Sequence, residues 1–199
     1  MGQQETAPTE QSSTKFSFVE LVESVQGAIS VREARLLRRL ARATTEGVIV
    51  EVGSFRGRST VALAKGAREG GKRPIYAIDP HEPFDGVFGG KFGPTDRRVF
   101  FESMLRTGSW RYVRLVNLSS EIVTNGWEQP VSLLWIDGDH RYEGVKRDFE
   151  CWAPHLMRDA VIAFDDTNRG GPQLFVEELL DGEWTVAETV GKVRALRRG

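Results

Sequence analysis

Residues 51–60 read Glu51-Val52-Gly53-Ser54-Phe55-Arg56-Gly57-Arg58-Ser59-Thr60. A short β-branched run, residues 47–52, leads into this stretch, and a helix-forming segment, residues 59–68, leaves it. Two glycines between them let the backbone turn tightly and come close to a neighbour or a ligand. This is the signature of a strand passing through a turn into a helix. The same alternation recurs downstream. Apolar runs at residues 74–78, 112–116, 131–136 and 160–164 predict four more strands. Helices are expected around Phe100, Phe101, Met104 and Leu105, near Glu121, along Val145, Phe149, Trp152 and Leu156, and over residues 174–180. Five continuous apolar strands, each followed by a helix, imply a doubly wound α/β fold with a mainly parallel sheet covered on both faces. Ligands of such sheets bind at the C-terminal ends of the strands.

Upstream, Phe18, Leu21, Val22 and Val25 recur at helical spacing. Leu36, Leu37, Leu40 and Ala41 form a second stripe, opposite Arg32, Arg35, Arg38, Arg39 and Arg42. Such a basic face is more often solvated than bound to an anion or nucleic acid. At the other end, residues 184–188 and 192–196 alternate around Gly191, which predicts a closing antiparallel hairpin. Residues 1–15 carry almost no bulky apolar side chain and read as a disordered tail. Gly2 and Thr6 match the short N-myristoylation pattern, which is too common to weigh against an inert tail. Residues 16–199 read as a single domain.

Composition narrows the classes further. The chain has 199 residues, 40% of them hydrophobic and 28% charged, as in ordinary globular proteins. Lys and Arg number 27 against 28 Asp and Glu, so no strongly basic field points to nucleic acid. The single cysteine, Cys151, excludes an internal disulfide framework and fits a reducing compartment. The longest apolar runs are far too short to span a bilayer, and no apolar stretch follows a basic start. The expected setting is cytoplasmic, away from membranes.

The strand ends carry the chemistry. A dinucleotide fingerprint would need glycines where Phe55 and Arg58 stand. Glu51, at the end of the first strand, would repel a phosphate and suit a cation or ammonium group. The second strand ends in Asp79, 28 positions after Glu51, where an acid accepts hydrogen bonds from ribose hydroxyls. The pair implies a nucleoside ligand with a positive rather than phosphorylated tail, which describes S-adenosylmethionine. The fourth strand runs into Asp137-Gly138-Asp139-His140 and the fifth into Asp165-Asp166-Thr167. Neighbouring parallel strands lie about 4.8 Å apart, so Asp137 and Asp165 should meet at one edge. Like charges gathered there call for a cation, and oxygen-only donors favour Mg²⁺, or Mn²⁺ or Ca²⁺, over zinc. His140 follows Asp137 on the same loop and is the residue type best suited to accept a proton near neutral pH. The loop over residues 81–94 combines four glycines with Phe84, Phe88 and Phe92, the make-up of a lid, or of a surface loop whose aromatics pack on the core.

Taken together, the turn at 51–60, Asp79-Pro80, Trp135 through Asp148 and Phe164 through Thr167 resemble class I S-adenosylmethionine-dependent methyltransferases. Within that family they are most similar to the small-molecule O-methyltransferases of the macrocin and mycinamicin type and, more distantly, the catechol type. The resemblance spans residues 47–180. It implies a seven-stranded Rossmann-like methyltransferase sheet and methyl transfer from S-adenosylmethionine to a small hydroxylated molecule, such as a natural-product sugar or catechol-like diol. It also implies a cofactor site at Glu51, Gly53, Ser54, Gly57, Asp79 and Asp137, with Ser119 and Ser120 at the adenine. Metal ligands would be Asp137, Asp165 and Asp166, with Asp139 behind them, and His140 would be the base. The chain has no counterpart of the extra N-terminal domain of the larger macrolide enzymes, which leaves the sugar substrate and their oligomers open; a homodimer is the assembly to test. Two rivals are a nicotinamide-dependent dehydrogenase on the same sheet and a nucleoside-binding module without chemistry.

Overall fold

A computed structural model describes residues 16–199. The tail and the myristoylation pattern expected in residues 1–15 lie outside the described residues. Helices α1 (Phe18–Glu23) and α2 (Val31–Ala43) each begin with a capping box: Ser17 and Ser30 accept from the backbone of Glu20 and Glu33, whose side chains return the bond. The alternation then follows as β1 (Val48–Val52), α3 (Arg58–Glu69) and β2 (Ile75–Ile78). A small hairpin, β3 (Phe84–Asp85) with β4 (Lys91–Phe92), interrupts it before α4 (Pro94–Thr107). Next come β5 (Val113–Val116), α5 (Ser120–Thr124), β6 (Val131–Ile136), α6 (Tyr142–Trp152), β7 (Leu156–Phe164) and α7 (Gly170–Leu180), closed by β8 (Trp184–Val190) and β9 (Val193–Arg198).

The main sheet has the order β5-β2-β1-β6-β7-β9-β8. The first five strands are parallel, while β9 runs antiparallel to both β7 and β8, as the alternation around Gly191 predicted. The strand order reverses between β1 and β6, so the crevice expected of a doubly wound sheet opens there. Because strand side chains alternate, the sheet has two cores. Ile49, Leu133, Trp135 and Ala163 pack toward α1–α4, and Val48, Val50, Leu134, Ile136 and Phe164 pack toward α6 and α7. One expected stripe residue moves. Leu156 is not on α6 but opens β7, four residues ahead of the expected start at 160. Pro154, within the 3-10 turn Ala153–His155, has no N–H with which to continue a helix.

Candidate active site

The strand tips enclose a cavity of about 380 Å³, within the range of small-molecule sites. Both ends of the described chain reach it, Gln26 from the segment after α1 and Lys192 from the β8–β9 turn. Of the residues expected at the site, Gly53, Ser54, Asp79, Ser119 and Ser120 line it on one side, and Asp137, His140, Asp165 and Asp166 on the other. Glu51 and Gly57 do not.

Glu51 is displaced by strand parity. It shares the face of Ile49 and points under α3, where Thr60 Oγ1 donates to its Oε2 at 2.6 Å. The residue is fully enclosed and its second oxygen has no partner. Burial pushes the carboxyl up to about 8, against the hydrogen bond from Thr60. The direct cofactor contact expected of Glu51 is therefore corrected to a buried post beneath the turn. Gly57 has φ +94 and faces Phe100 and Met104 across α4 rather than the cavity, so its part in the site is also to shape the turn.

Gly53 has φ +83, and a Cβ there would stand 2.2 Å from the Asp137 carbonyl oxygen. The close approach this glycine allows is thus partly to the tip of β6, which brings Asp137 beside the first turn. Asp79 reaches the same turn from β2. Its Oδ2 accepts from the N–H groups of Ser54 at 2.9 Å and Phe55 at 2.8 Å, and its Oδ1 accepts from His81 N–H at 2.8 Å. A ribose would share this carboxylate with three backbone donors. His81, a residue the motifs did not single out, is wedged with Nε2 2.7 Å from the Phe55 carbonyl and Nδ1 3.0 Å from Asn117 Nδ2. Those partners assign the proton to Nε2.

At α5, Ser119 occupies the N-cap position but its side chain makes no capping bond, while Ser120 accepts from Trp152 Nε1 at 3.2 Å. Asp148 on α6 joins them at the cavity wall, and burial raises its carboxyl to about 6, opposed by hydrogen bonding to Ser120. Its position in the second turn of α6, away from any strand end, left no signal at the strand tips. Asp139, expected behind the metal ligands, accepts from Arg141 N–H at 3.0 Å and the Arg141 guanidinium at 3.2 Å.

The opposite wall is the acidic one. His140 Nε2 lies 3.3 Å from Asp137 Oδ1, and Nδ1 lies 3.9 Å from Asp166 Oδ2. Asp165 and Asp166 follow β7, with side chains 1% and 4% exposed. Lys192 Nζ stands 2.6 Å from Asp165 Oδ2 and 3.1 Å from Asp166 Oδ1, and Arg169 Nη2 is 3.2 Å from Asp166 Oδ2. Burial pushes the Asp165 carboxyl up, reinforced by Asp137 and opposed by Lys192. Burial also works against the Lys192 ammonium, but Asp165, Asp137 and Asp166 outweigh it and hold its pKa above the ordinary lysine value. Asp166 ends below its ordinary value because Lys192 and Arg169 overcome its burial. Ligand atoms of Asp137, His140 and Asp165 fall within 4.8 Å of one another. Asp166 instead turns toward its two cations.

The 81–94 loop lines the cavity in part, Phe84, Gly86, Phe92 and Gly93 among its lining residues. Its aromatics do pack, but onto the site: Phe92 meets Phe55 edge to face at 5.1 Å, and Phe88 lies 5.4 Å from the His140 ring with Arg169 stacked 3.7 Å above it.

The sequence profile of a methyltransferase domain matches residues 50–167, from β1 to the loop after β7. The chain belongs to that methyltransferase-domain family. The family resemblance of the strand-end motifs is thereby borne out. The methyltransferase domain is similar in fold to cofactor-bound Rv0187 from MTB, with a TM-score of 0.68 and 18% identity over 91% of this chain and 87% of that one. An O-methyltransferase from Bacillus cereus in complex with SAH gives a TM-score of 0.68 and 18% identity, covering 92% of each chain. TomG from Streptomyces achromogenes, an O-methyltransferase of tomaymycin synthesis solved with SAM, gives 0.62 and 19%, covering 86% of this chain and 82% of its own. Among curated proteins, the uncharacterized y4gI of Sinorhizobium fredii is 39% identical over 61 residues, 29% of this chain and 7% of that protein. The matched region is thus a small part of that relative. No helix among the described residues is long and apolar enough to cross a membrane.

Proposed function

We propose that this methyltransferase domain moves a methyl group from S-adenosylmethionine to a hydroxyl of a small molecule, with residues 16–199 acting as one unit. One observation carries the reading: His140 is held beside Asp137 at the edge of a strand-tip cavity whose walls are acidic. Asp79, Asp137, Asp148 and Asp165 line it, which suits a positive sulfonium and ammonium tail and disfavours a diphosphate. The Bacillus cereus and Streptomyces achromogenes relatives, bound to SAH and SAM, support the same choice of cofactor. The cytoplasmic setting expected from the sequence belongs to this proposal.

Bound S-adenosylmethionine supplies an electrophilic methyl. Gly53 and Ser54 would border it at the first turn, with Asp79 toward the ribose and Ser119, Ser120 and Asp148 toward the base. On the opposite wall His140 accepts the proton of the acceptor hydroxyl, with Asp137 at 3.3 Å and Asp166 at 3.9 Å from its ring. Phe88 packs 5.4 Å from the His140 ring on the outer side of this wall.

The expected dication at Asp137, Asp165 and Asp166 competes with Lys192, which hydrogen-bonds Asp165 Oδ2 and pairs with Asp166 Oδ1, while Asp165 Oδ1 stays without a partner. A second reading keeps a metal at Asp137, His140 and Asp165, favoured by their mutual separation within 4.8 Å. It makes methyl transfer sensitive to chelators and commits the His140 imidazole as a ligand, so that it cannot also take the proton.

Calorimetric titration tests the main reading. SAH should bind one per chain and reduced nicotinamide dinucleotide should not. Binding of the dinucleotide without SAH overturns it.

A further inference from the structure

We propose that the Lys192 ammonium is the resident cation of the strand-tip carboxylates and binds the oxygen of the methyl acceptor, in the place a divalent metal would occupy. This rests on the methyl-transfer reading above. An ammonium has three N–H donors. One is directed at Asp165 Oδ2, 2.6 Å away, and Asp166 Oδ1 lies within ion-pair distance at 3.1 Å. The side chain retains 20% exposure and lines the cavity, which leaves donor capacity for a ligand.

The surroundings are built to put it there. Gly191, in the left-handed region at φ +60, leaves room for the Glu33 carboxylate, which a Cβ would meet at 2.3 Å. Glu33 Oε1 then accepts from Lys192 N–H at 3.0 Å, while the capping bond to Ser30 N–H holds the other oxygen. From the other side, the Lys192 carbonyl accepts from Thr167 N–H at 2.9 Å and Thr167 Oγ1 at 3.0 Å. The tip of the β8–β9 hairpin is thus pinned between the start of α2 and the residue that follows Asp165-Asp166. Solvated pairs elsewhere are different in kind: Arg98 and Glu102 pair within one helix turn at 75% and 59% exposure. A dication bound to the same oxygens of Asp165 and Asp166 would have to stand against the ammonium, and the two would repel.

The consequence for the reaction is specific. The acceptor oxygen, hydrogen-bonded to Lys192, loses its proton to His140 and forms the bond to the methyl carbon. The carbon–sulfur bond breaks with its electron pair on sulfur, leaving a neutral thioether, a methyl ether and an imidazolium. A single N–H requires one oxygen, whereas a chelating metal selects two adjacent ones. The acceptor class is therefore a small molecule with one suitably placed hydroxyl, and a vicinal diol is not required.

Mn²⁺ titration of the full chain, followed by electron paramagnetic resonance, tests this directly. The wild type and Lys192→Arg should leave millimolar Mn²⁺ free. Lys192→Met should bind one Mn²⁺ per chain at least about 10-fold more tightly than the wild type, and adding Asp165→Asn should abolish the gain. Stoichiometric Mn²⁺ binding by the wild type overturns the proposal whether or not the variants fold, and so does a folded Lys192→Met that gains no affinity. SAH titration of the same samples separates the two readings. A wild type that binds both SAH and Mn²⁺ overturns only the assignment of Lys192, and one that binds no SAH overturns the methyl-transfer reading and this inference with it.

Discussion

His140 Nε2 lies 3.3 Å from Asp137 Oδ1, on the loop that leaves the same strand tip. The imidazole is thereby placed at the acidic wall, within reach of a bound hydroxyl. His140→Gln keeps the approximate shape and removes the basic nitrogen. Methyl transfer should fall by about 10²–10⁴-fold. SAH affinity measured by calorimetry should stay within a few fold, since the histidine faces the acceptor side. Unchanged turnover would make the histidine a structural loop residue.

Asp79 ties the first turn to β2 through Ser54, Phe55 and His81. Asp79→Asn replaces one acceptor oxygen with an amide that cannot receive those N–H groups. Loss of stability by about 1–3 kcal/mol is expected from an unsatisfied buried donor. Chemical denaturation should register it, together with weaker SAH binding. An unchanged denaturation midpoint would mean that the turn holds without the carboxylate.

Glu51 gives the protein a pH-dependent stability of definite sign. Its carboxyl lies near 4.5 in the unfolded chain and is pushed up to about 8 by burial in the folded one. Between those values the folded state holds a proton that the unfolded state has released, so raising the pH through this window favours unfolding. The contribution is fully present below the unfolded value and is lost as pH climbs through the folded one. Its size is on the order of a few kcal/mol. Glu51→Gln should remove this slope, so the variant gains on the wild type between about pH 5 and about pH 8.5 in urea unfolding of the ligand-free protein. Parallel curves for the two proteins would contradict the assignment.

Phe88 joins the 81–94 loop to the acidic wall, stacked by Arg169 on one side and near His140 on the other. Phe88→Ala should raise the KM for the methyl acceptor and increase abortive hydrolysis or leakage while leaving SAH affinity unchanged. An equal loss of both affinities would mean that the loop orders the whole cavity rather than covering one wall.

Much of this was legible in the chain itself. The strand runs and the polar residues at their ends located β1, β2, β5, β6 and β7, and Val131–Ile136 matches its expected span. Apolar periodicity is a local consequence of burial on both sheet faces, so it survives in one dimension. The Asp137, His140, Asp165 and Asp166 group was equally readable, because parallel strands of one sheet bring their tips to a common edge. Two expected contacts failed for a reason that patterns at strand ends do not register. Glu51 sits one residue before the end of β1, on the face turned to α3, and Gly57 faces α4.

The sequence alone thus determined the layered α/β architecture, the strand-tip location of the site and the acidic character of its wall, since each follows from the order of short-range patterns along the chain. Tertiary structure alone decided what neutralises that wall. Lys192 lies 27 residues from Asp165, in a segment whose pattern announces only a hairpin. Its ammonium reaches the carboxylates because β9 folds back antiparallel against β7, and Glu33 and Thr167 clamp the hairpin tip between them. Charge pairing depends on distances of a few ångströms between elements remote in sequence, and folding sets those distances where linear spacing does not.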